Sequence, residues 1–313
     1  MNEIYLHIGL HKTGNGTLQF QFFPACEGIT FLTTANERMK QFTTYVTRTD
    51  PLYFDPFSAL ELLGPQLKTG KKIVLSNEAF SGPLWTGLAH LGLDHRFPVL
   101  ANLRETFPDA RVILVLRRQD ELARSIYRQY LKAGGTRPVK RFYGLASKGR
   151  PPVISLNRFR FSPYVTAVCE SFPKGFLILT YEEFRSDQKA FLRKITDFIG
   201  IDLPEIELRK SNVSRLGPFG LEIARLLNFF FRSALNPGGF LPGISQTMTG
   251  GKTRVASPVH LIHRSWPGRG VHRRGGTLWD VSNRVFESVQ ADNRTLDERY
   301  HLNLHQYGYY SNI

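Results

Sequence analysis

The chain has 313 residues, 42% of them hydrophobic and 21% charged. That is enough to bury a sizeable core, and it excludes wholesale disorder, a collagen-like repeat and a disulfide-stapled scaffold. Lys and Arg total 41 against 26 Asp and Glu, a net charge of +15 that attracts anions such as nucleotides, acidic glycans, nucleic acid or lipid headgroups.

No uncharged apolar run reaches the roughly 18–20 residues of a membrane span. The N-terminus lacks the basic start and long apolar stretch of a secretory signal. Cys26 and Cys169 are the only cysteines, too few for a disulfide framework or a Cys-based zinc site. Both read as small buried hydrophobes, and the low count fits a reducing, cytoplasmic compartment.

In chain order, residues 3–9 form a short apolar strand pattern that ends in glycine, and 17–23 starts a helix. Lys72–Ser76, Arg111–Leu116 and residues 175–180 are short leucine-rich and β-branched runs between polar breakers, as in fully buried parallel strands. Helical patterns cover 59–67, 99–107, 120–132 and Gln188–Ile199. This alternation predicts an α/β fold with a mainly parallel sheet flanked by helices. Residues 221–231 are apolar and helical, and 278–300 read as a C-terminal helix.

Residues 236–276 hold nine of the 27 glycines and four of the 18 prolines, and they read as an irregular basic lid or loop. From Arg209 to Gly275 there are eleven Lys or Arg and one acid, Glu222, a net charge of +10. No boundary between independent domains is evident, so 1–313 reads as one domain. No aromatics interleave with the basic run and no nucleic-acid motif is present, which argues against a nucleic-acid partner.

Ligands of such sheets bind at the carboxyl ends of the strands. The first strand runs into Gly9-Leu10-His11-Lys12-Thr13-Gly14-Asn15-Gly16-Thr17, a glycine-rich turn with a lysine and hydroxyls that leads into a helix. Such a turn cradles phosphate with backbone N–H groups and the helix dipole. It is not the Walker pattern, because Lys12 precedes Gly14. After the run Arg111–Leu116 come Arg117 and Arg118, then Ser125 and Tyr127; an arginine fork and a hydroxyl suit a second phosphate. The run Lys72–Ser76 is followed by Asn77 and Glu78, which places a carboxylate at the same sheet edge. His260 and His263 lack neighbouring carboxylates, so no metal is implied. Trp85, Trp266 and Trp279 read as packing residues, with Trp85 near enough to Glu78 to line an acceptor cleft.

Taken in order, His11-Lys12-Thr13-Gly14-x-x-Thr17-Leu18-Gln19, Arg117-(seven residues)-Ser125-x-Tyr127 and the strand ending in Thr180-Tyr181-Glu182-Glu183 resemble the nucleotide-binding segments of sulfotransferases that use 3′-phosphoadenosine 5′-phosphosulfate (PAPS). The resemblance spans roughly residues 3–200 and is nearest to short bacterial members. It implies a P-loop-like fold and sulfuryl transfer from PAPS to a hydroxyl or amine, with a small molecule or a glycan as acceptor. It implies that Lys12, Thr13, Gly14, Asn15, Gly16 and Thr17 hold the 5′-phosphosulfate, Arg117 and Ser125 the 3′-phosphate, and that Tyr181 borders the adenine. Lys12 would offset charge on the bridging oxygen. Glu78 or His11 would be the base. Asn15-Gly16 replaces the family's usual hydroxyl pair, so a nucleotide-binding protein without turnover is the alternative reading.

Overall fold

The computed structural model describes residues 3–68, 72–84, 94–146, 151–209, 217–247, 253–256 and 276–311. By internal packing the chain divides into two units. One comprises Met1–Arg118, Ser155–Ser211 and Val289–Ile313; the other comprises Gln119–Ile154 and Asn212–Ser288.

The first unit is built on a five-stranded sheet of β1 (Ile4–Gly9), β2 (Ile29–Leu32), β3 (Lys72–Ser76), β4 (Arg111–Leu116) and β5 (Phe176–Thr180). The strands lie in the order β2-β3-β1-β4-β5, and every neighbouring pair is parallel. β1, β3 and β4 are buried at every position but their first, which is why their sequences are continuous apolar runs rather than alternating ones. The chain leaves β1 toward the β2 and β3 side and leaves β4 toward β5, so the strand order reverses between β1 and β4. A crevice opens at the carboxyl ends at such a reversal.

The helix after β1 departs from the regular element expected. It starts at Asn15–Thr17 (α1), widens into a π turn over Leu18–Phe22 and tightens into a 3₁₀ turn over Phe23–Ala25. Pro24 is the physical reason, since it has no N–H to continue the α ladder. β2 and α2 (Glu37–Arg48) were not expected. α2 buries Met39, Phe42, Thr43 and Val46, a helical stripe, and Asn36 caps it by accepting from the Met39 N–H at 3.1 Å. α3 (Pro56–Leu63) and α4 (Arg96–Thr106) follow, each starting three residues before its expected start. Tyr5, Phe22, Phe23, Val74, Ile113, Val115, Leu179, Phe191, Ile195 and Ile199 form one continuous core cluster.

In the second unit, α5 (Gln119–Lys132) and α6 (Val139–Phe142) join through a buried aromatic cluster of Tyr127, Tyr130, Phe142 and Tyr143. The first unit continues with α7 (Ser162–Ser171), α8 (Tyr181–Ser186) and α9 (Gln188–Ile199). α10 (Pro218–Phe230) belongs to the second unit and docks on α5, where the buried Asn228 Nδ2 donates to the Leu131 and Gly135 carbonyls, both at 2.8 Å. Within the stretch read as irregular, β6 (Ile244–Thr247) and β7 (Thr253–Ala256) pair antiparallel. Residues 248–252 and 257–275 lie outside the described residues, as do Trp85, Trp266, His260 and His263. α11 (Thr277–Tyr300) ends the helical order. Among the described residues, no helix is long and apolar enough to cross a membrane.

Candidate active site

The turn between β1 and α1 is stitched by its own side chains. Thr13 Oγ1 donates to the Leu10 carbonyl at 2.6 Å, and Asn15 Nδ2 donates to the same oxygen at 2.9 Å. Both side chains are buried and turned into the loop. A Cβ on Gly9 would lie 1.8 Å from Asn15 Oδ1, so only glycine admits this clamp. Gly14 has φ 87°, a left-handed conformation that favours glycine, and the Tyr181 ring lies 3.2 Å from where its Cβ would be. Gly16 is exposed and Thr17 is buried. The first N–H groups of a helix have no intrahelical partner, so this turn offers donors to an anion.

Lys12 also has positive φ, 70°, which costs a non-glycine residue about 1–2 kcal/mol. Its carbonyl accepts from Arg117 Nη1 at 2.7 Å. Arg117 in turn stacks on Tyr181, with Cζ 4.6 Å from the ring centroid. Three residues far apart in sequence therefore meet at the β1–β4 reversal. Burial pushes the Lys12 ammonium down from its ordinary value; Glu78 opposes this and Arg117 reinforces it. Lys12 Nζ makes no ion pair with any described residue, which leaves a half-buried cation for an anionic ligand to neutralise.

Glu78 follows β3 in a 3₁₀ turn, Glu78–Ser81, whose N-cap Asn77 accepts from the Ala79 N–H at 2.9 Å. Its side chain is 44% exposed, and Oε2 lies 3.6 Å from His11 Nδ1. Burial resists ionisation of Glu78, yet His11, Lys12 and Asn15 together hold its carboxyl down at about 2. The other nitrogen of His11, Nε2, is 3.0 Å from the Gly82 carbonyl; a carbonyl only accepts, so this nitrogen carries the proton. His11 is thus held between a backbone acceptor and Glu78, while Glu78 keeps an accessible face.

Ser125 belongs to the second unit, on α5, where it is half-buried. Glu182, beside Tyr181, accepts from the Arg118 N–H at 3.1 Å and from the Tyr309 hydroxyl at 2.7 Å, which fastens the end of β4. Arg158 is a site residue the sequence did not reveal. Its Nη2 donates to the Ser81 and Gly82 carbonyls at 2.8 and 3.0 Å and so braces the turn that carries Glu78 and receives His11. Asp94 sits between Arg158 and Arg96, 3.9 Å from Arg158 Nη1. Nothing in the pattern around Arg158 distinguishes it from a solvated arginine. Burial raises both thiols, Cys26 and Cys169, to about 11, so neither is poised as a nucleophile.

A family model described as "Sulfotransferase family" matches residues 34–205, more than half of the chain. The chain belongs to the sulfotransferase family. The match begins after the β1 turn, so the phosphate-loop reading rests on the loop's own residues. Among solved structures, a sulfotransferase from Alicyclobacillus acidocaldarius is 14% identical, with a TM-score of 0.47, over 67% of this sulfotransferase and 87% of that chain. Mouse sulfotransferase SULT7A1 complexed with PAP is 17% identical, with a TM-score of 0.42, over 94% and 85%. No curated protein matches.

Proposed function

We propose that this sulfotransferase moves the sulfuryl group of PAPS to a hydroxyl or amine acceptor, a small molecule or a glycan, with Lys12 as electrostatic catalyst and Glu78 as base. The observation that carries the reading is the meeting of Lys12, Arg117 and Tyr181 at the β1–β4 reversal, in the same unit as the Glu78–His11 pair. The glycine-rich turn fits a phosphosulfate by its chemistry: it offers backbone donors and a half-buried ammonium that makes no salt bridge with a described carboxylate. The resemblance assigns the 3′-phosphate to Arg117 and Ser125 and the adenine edge to Tyr181. Arg117, as described, holds the loop carbonyl of Lys12, so its occupancy and the loop's shape are coupled.

For a hydroxyl acceptor, the oxygen forms its bond to sulfur as the bond from sulfur to the bridging phosphate oxygen breaks. The hydroxyl proton passes to Glu78, and Lys12 offsets the charge growing on the leaving oxygen. Positioning does most of the rest. Asn15 is committed to the Leu10 carbonyl, so the hydroxyl that the family usually has here is replaced by a structural amide, and phosphate binding falls to the backbone, Lys12 and Thr17. Two measurements test the reading. Labelled PAPS offered with a panel of hydroxylated and amino acceptors should yield sulfated product. Calorimetry should show 3′-phosphoadenosine 5′-phosphate binding much more tightly than adenosine 5′-monophosphate, with Arg117→Ala removing about 1.5–3 kcal/mol of that preference. Equal affinity for the two nucleotides would overturn the 3′-phosphate assignment, and nucleotide binding without turnover on any acceptor would favour a binding protein.

A further inference from the structure

Taking Arg117 as the group that meets the 3′-phosphate and Tyr181 as the edge of the adenine, as in the proposed function, we propose that the buried Tyr309 is a positioning residue that sets both through Glu182. β4 and β5 pair as far as Leu116 and Thr180, where their backbone ladder ends. Two side-chain contacts close the strand ends beyond that point. Arg117 stacks on Tyr181, with Cζ 4.6 Å from the ring centroid. One residue further along each segment, Glu182 Oε1 accepts from the Arg118 N–H at 3.1 Å. The Tyr309 hydroxyl donates to the other oxygen, Oε2, at 2.7 Å.

Tyr309 is itself firmly anchored. Its ring is fully buried. Its N–H donates to the Leu304 carbonyl at 3.2 Å across the 3₁₀ turn Leu304–Tyr307, and its carbonyl accepts from the buried Asn293 Nδ2 of α11 at 2.8 Å. Gly308 packs on Arg118 so closely that an added Cβ would lie 3.3 Å from Nη1. Burial, reinforced by the Glu182 carboxylate, pushes the Tyr309 hydroxyl well above its ordinary value despite Arg117 and Arg118, so it stays a donor across the neutral range.

The effect reaches the nucleotide site through chain adjacency. Arg118 follows Arg117 and Glu182 follows Tyr181, so a Glu182 carboxylate that swings free shifts both partners of the stack. Arg117 also holds the Lys12 carbonyl at 2.7 Å, which ties the same relay to the glycine-rich turn. A hydrogen bond to a carboxylate, such as that from Tyr309 to Glu182, is stronger than a neutral one and fixes direction as well as distance. The coupling is reciprocal: if Tyr309 helps to hold Arg117 for a 3′-phosphate, a nucleotide with that phosphate must tighten residues 304–311.

Calorimetry on the full chain compares 3′-phosphoadenosine 5′-phosphate with adenosine 5′-monophosphate. Tyr309→Phe keeps the buried ring and removes the hydroxyl, and it should weaken the first nucleotide about tenfold and the second about threefold or less. Tyr310→Phe is the control: it removes a bond to Asp297 Oδ2, 2.8 Å, in the same segment and should change neither. Without nucleotide, the Arg118 amide should exchange about tenfold faster in Tyr309→Phe while the β1 amides keep their protection, a pattern that general loosening would not give. If Tyr309→Phe does not fold, the unaltered protein still decides: the 3′-phosphorylated nucleotide should slow exchange over 304–311, and adenosine 5′-monophosphate should do so less. The proposal is overturned if Tyr309→Phe binds both nucleotides as the unaltered protein does, if Tyr310→Phe weakens them equally, or if exchange at Arg118 and over 304–311 does not respond. An unaltered protein that binds neither nucleotide would sink the proposed function, and the role of Tyr309 with it.

Discussion

Glu78 and His11 lie side by side, 3.6 Å apart, but do not share one role. His11 Nε2 is committed to the Gly82 carbonyl and Nδ1 faces the carboxylate, whereas Glu78 retains an exposed side. On the proposed reading Glu78 is the proton acceptor and His11 the group that orients it. Glu78→Gln keeps the shape and removes the basic oxygen, so single-turnover transfer to a hydroxyl acceptor at saturating PAPS should fall roughly 10²–10⁴-fold with little change in nucleotide affinity. His11→Ala should fall less, by loss of orientation; a dead His11→Ala beside a fast Glu78→Gln would exchange the assignments. With its carboxyl held near 2, Glu78 stays ionised down to about pH 3, so its own titration should impose no acid limb on turnover between pH 5 and 8. Lys12→Ala should cost on the order of 10²–10³ in kcat and less in nucleotide affinity, because its charge is needed most as the leaving oxygen becomes anionic. Near-normal turnover in that variant would leave Lys12 as a loop residue only.

Among the elements, the strands with continuous apolar runs were legible because burial on both faces leaves one pattern open to them. β3, β4 and α9 fall on the residues their sequences indicate. β2 is a four-residue edge strand that is mostly half-buried, too short and too mixed to declare itself. The β6–β7 ladder hides in glycine-rich sequence for the same reason. The glycine-rich turn after β1 was legible as a turn, but not the inward rotation of Thr13 and Asn15, which depends on the Leu10 carbonyl lying within reach. Arg158, Asp94 and Tyr309 reach the site from distant segments, and no spacing along the chain encodes that approach. The turn itself predicts a specific coupling. Gly9→Ala places a methyl group on the Asn15 amide and should destabilise the protein by about 1–3 kcal/mol while weakening nucleotide binding. In an Asn15→Ala background the clash is gone, so the added cost of Gly9→Ala should largely vanish in a thermal-unfolding double-mutant cycle. Full additivity would mean that the two residues do not meet.

At the scale of the molecule, the sheet interior sets how stability responds to acid. His7 lies in β1 opposite Ser76 of β3, fully buried, with Nδ1 2.6 Å from Ser76 Oγ. Gln19 Nε2 also donates to that hydroxyl, at 3.0 Å. Nε2 of His7 is buried and has no hydrogen-bond partner among the described residues, and burial lowers its pKa to about 3. In the unfolded chain the same group titrates near 6.5. Between those two values the unfolded state binds the extra proton, so stability is complete above about pH 6.5 and falls as the pH drops toward 3. Lowering the pH from 7.5 to 5 should cost about 2 kcal/mol through this group. Glu78, whose carboxyl is depressed, loses its contribution in the same direction but only below about 4.5, so the two groups act in successive windows. The measurement is the urea midpoint at pH 7.5 and at pH 5 for the protein and for His7→Gln, and the difference between the two pH responses isolates His7. If the substitution unfolds the protein, the His7 ring resonance in the unaltered chain answers the same question by remaining neutral down to pH 4. A ring that protonates near pH 6.5 in the folded protein would remove His7 as the source of acid sensitivity.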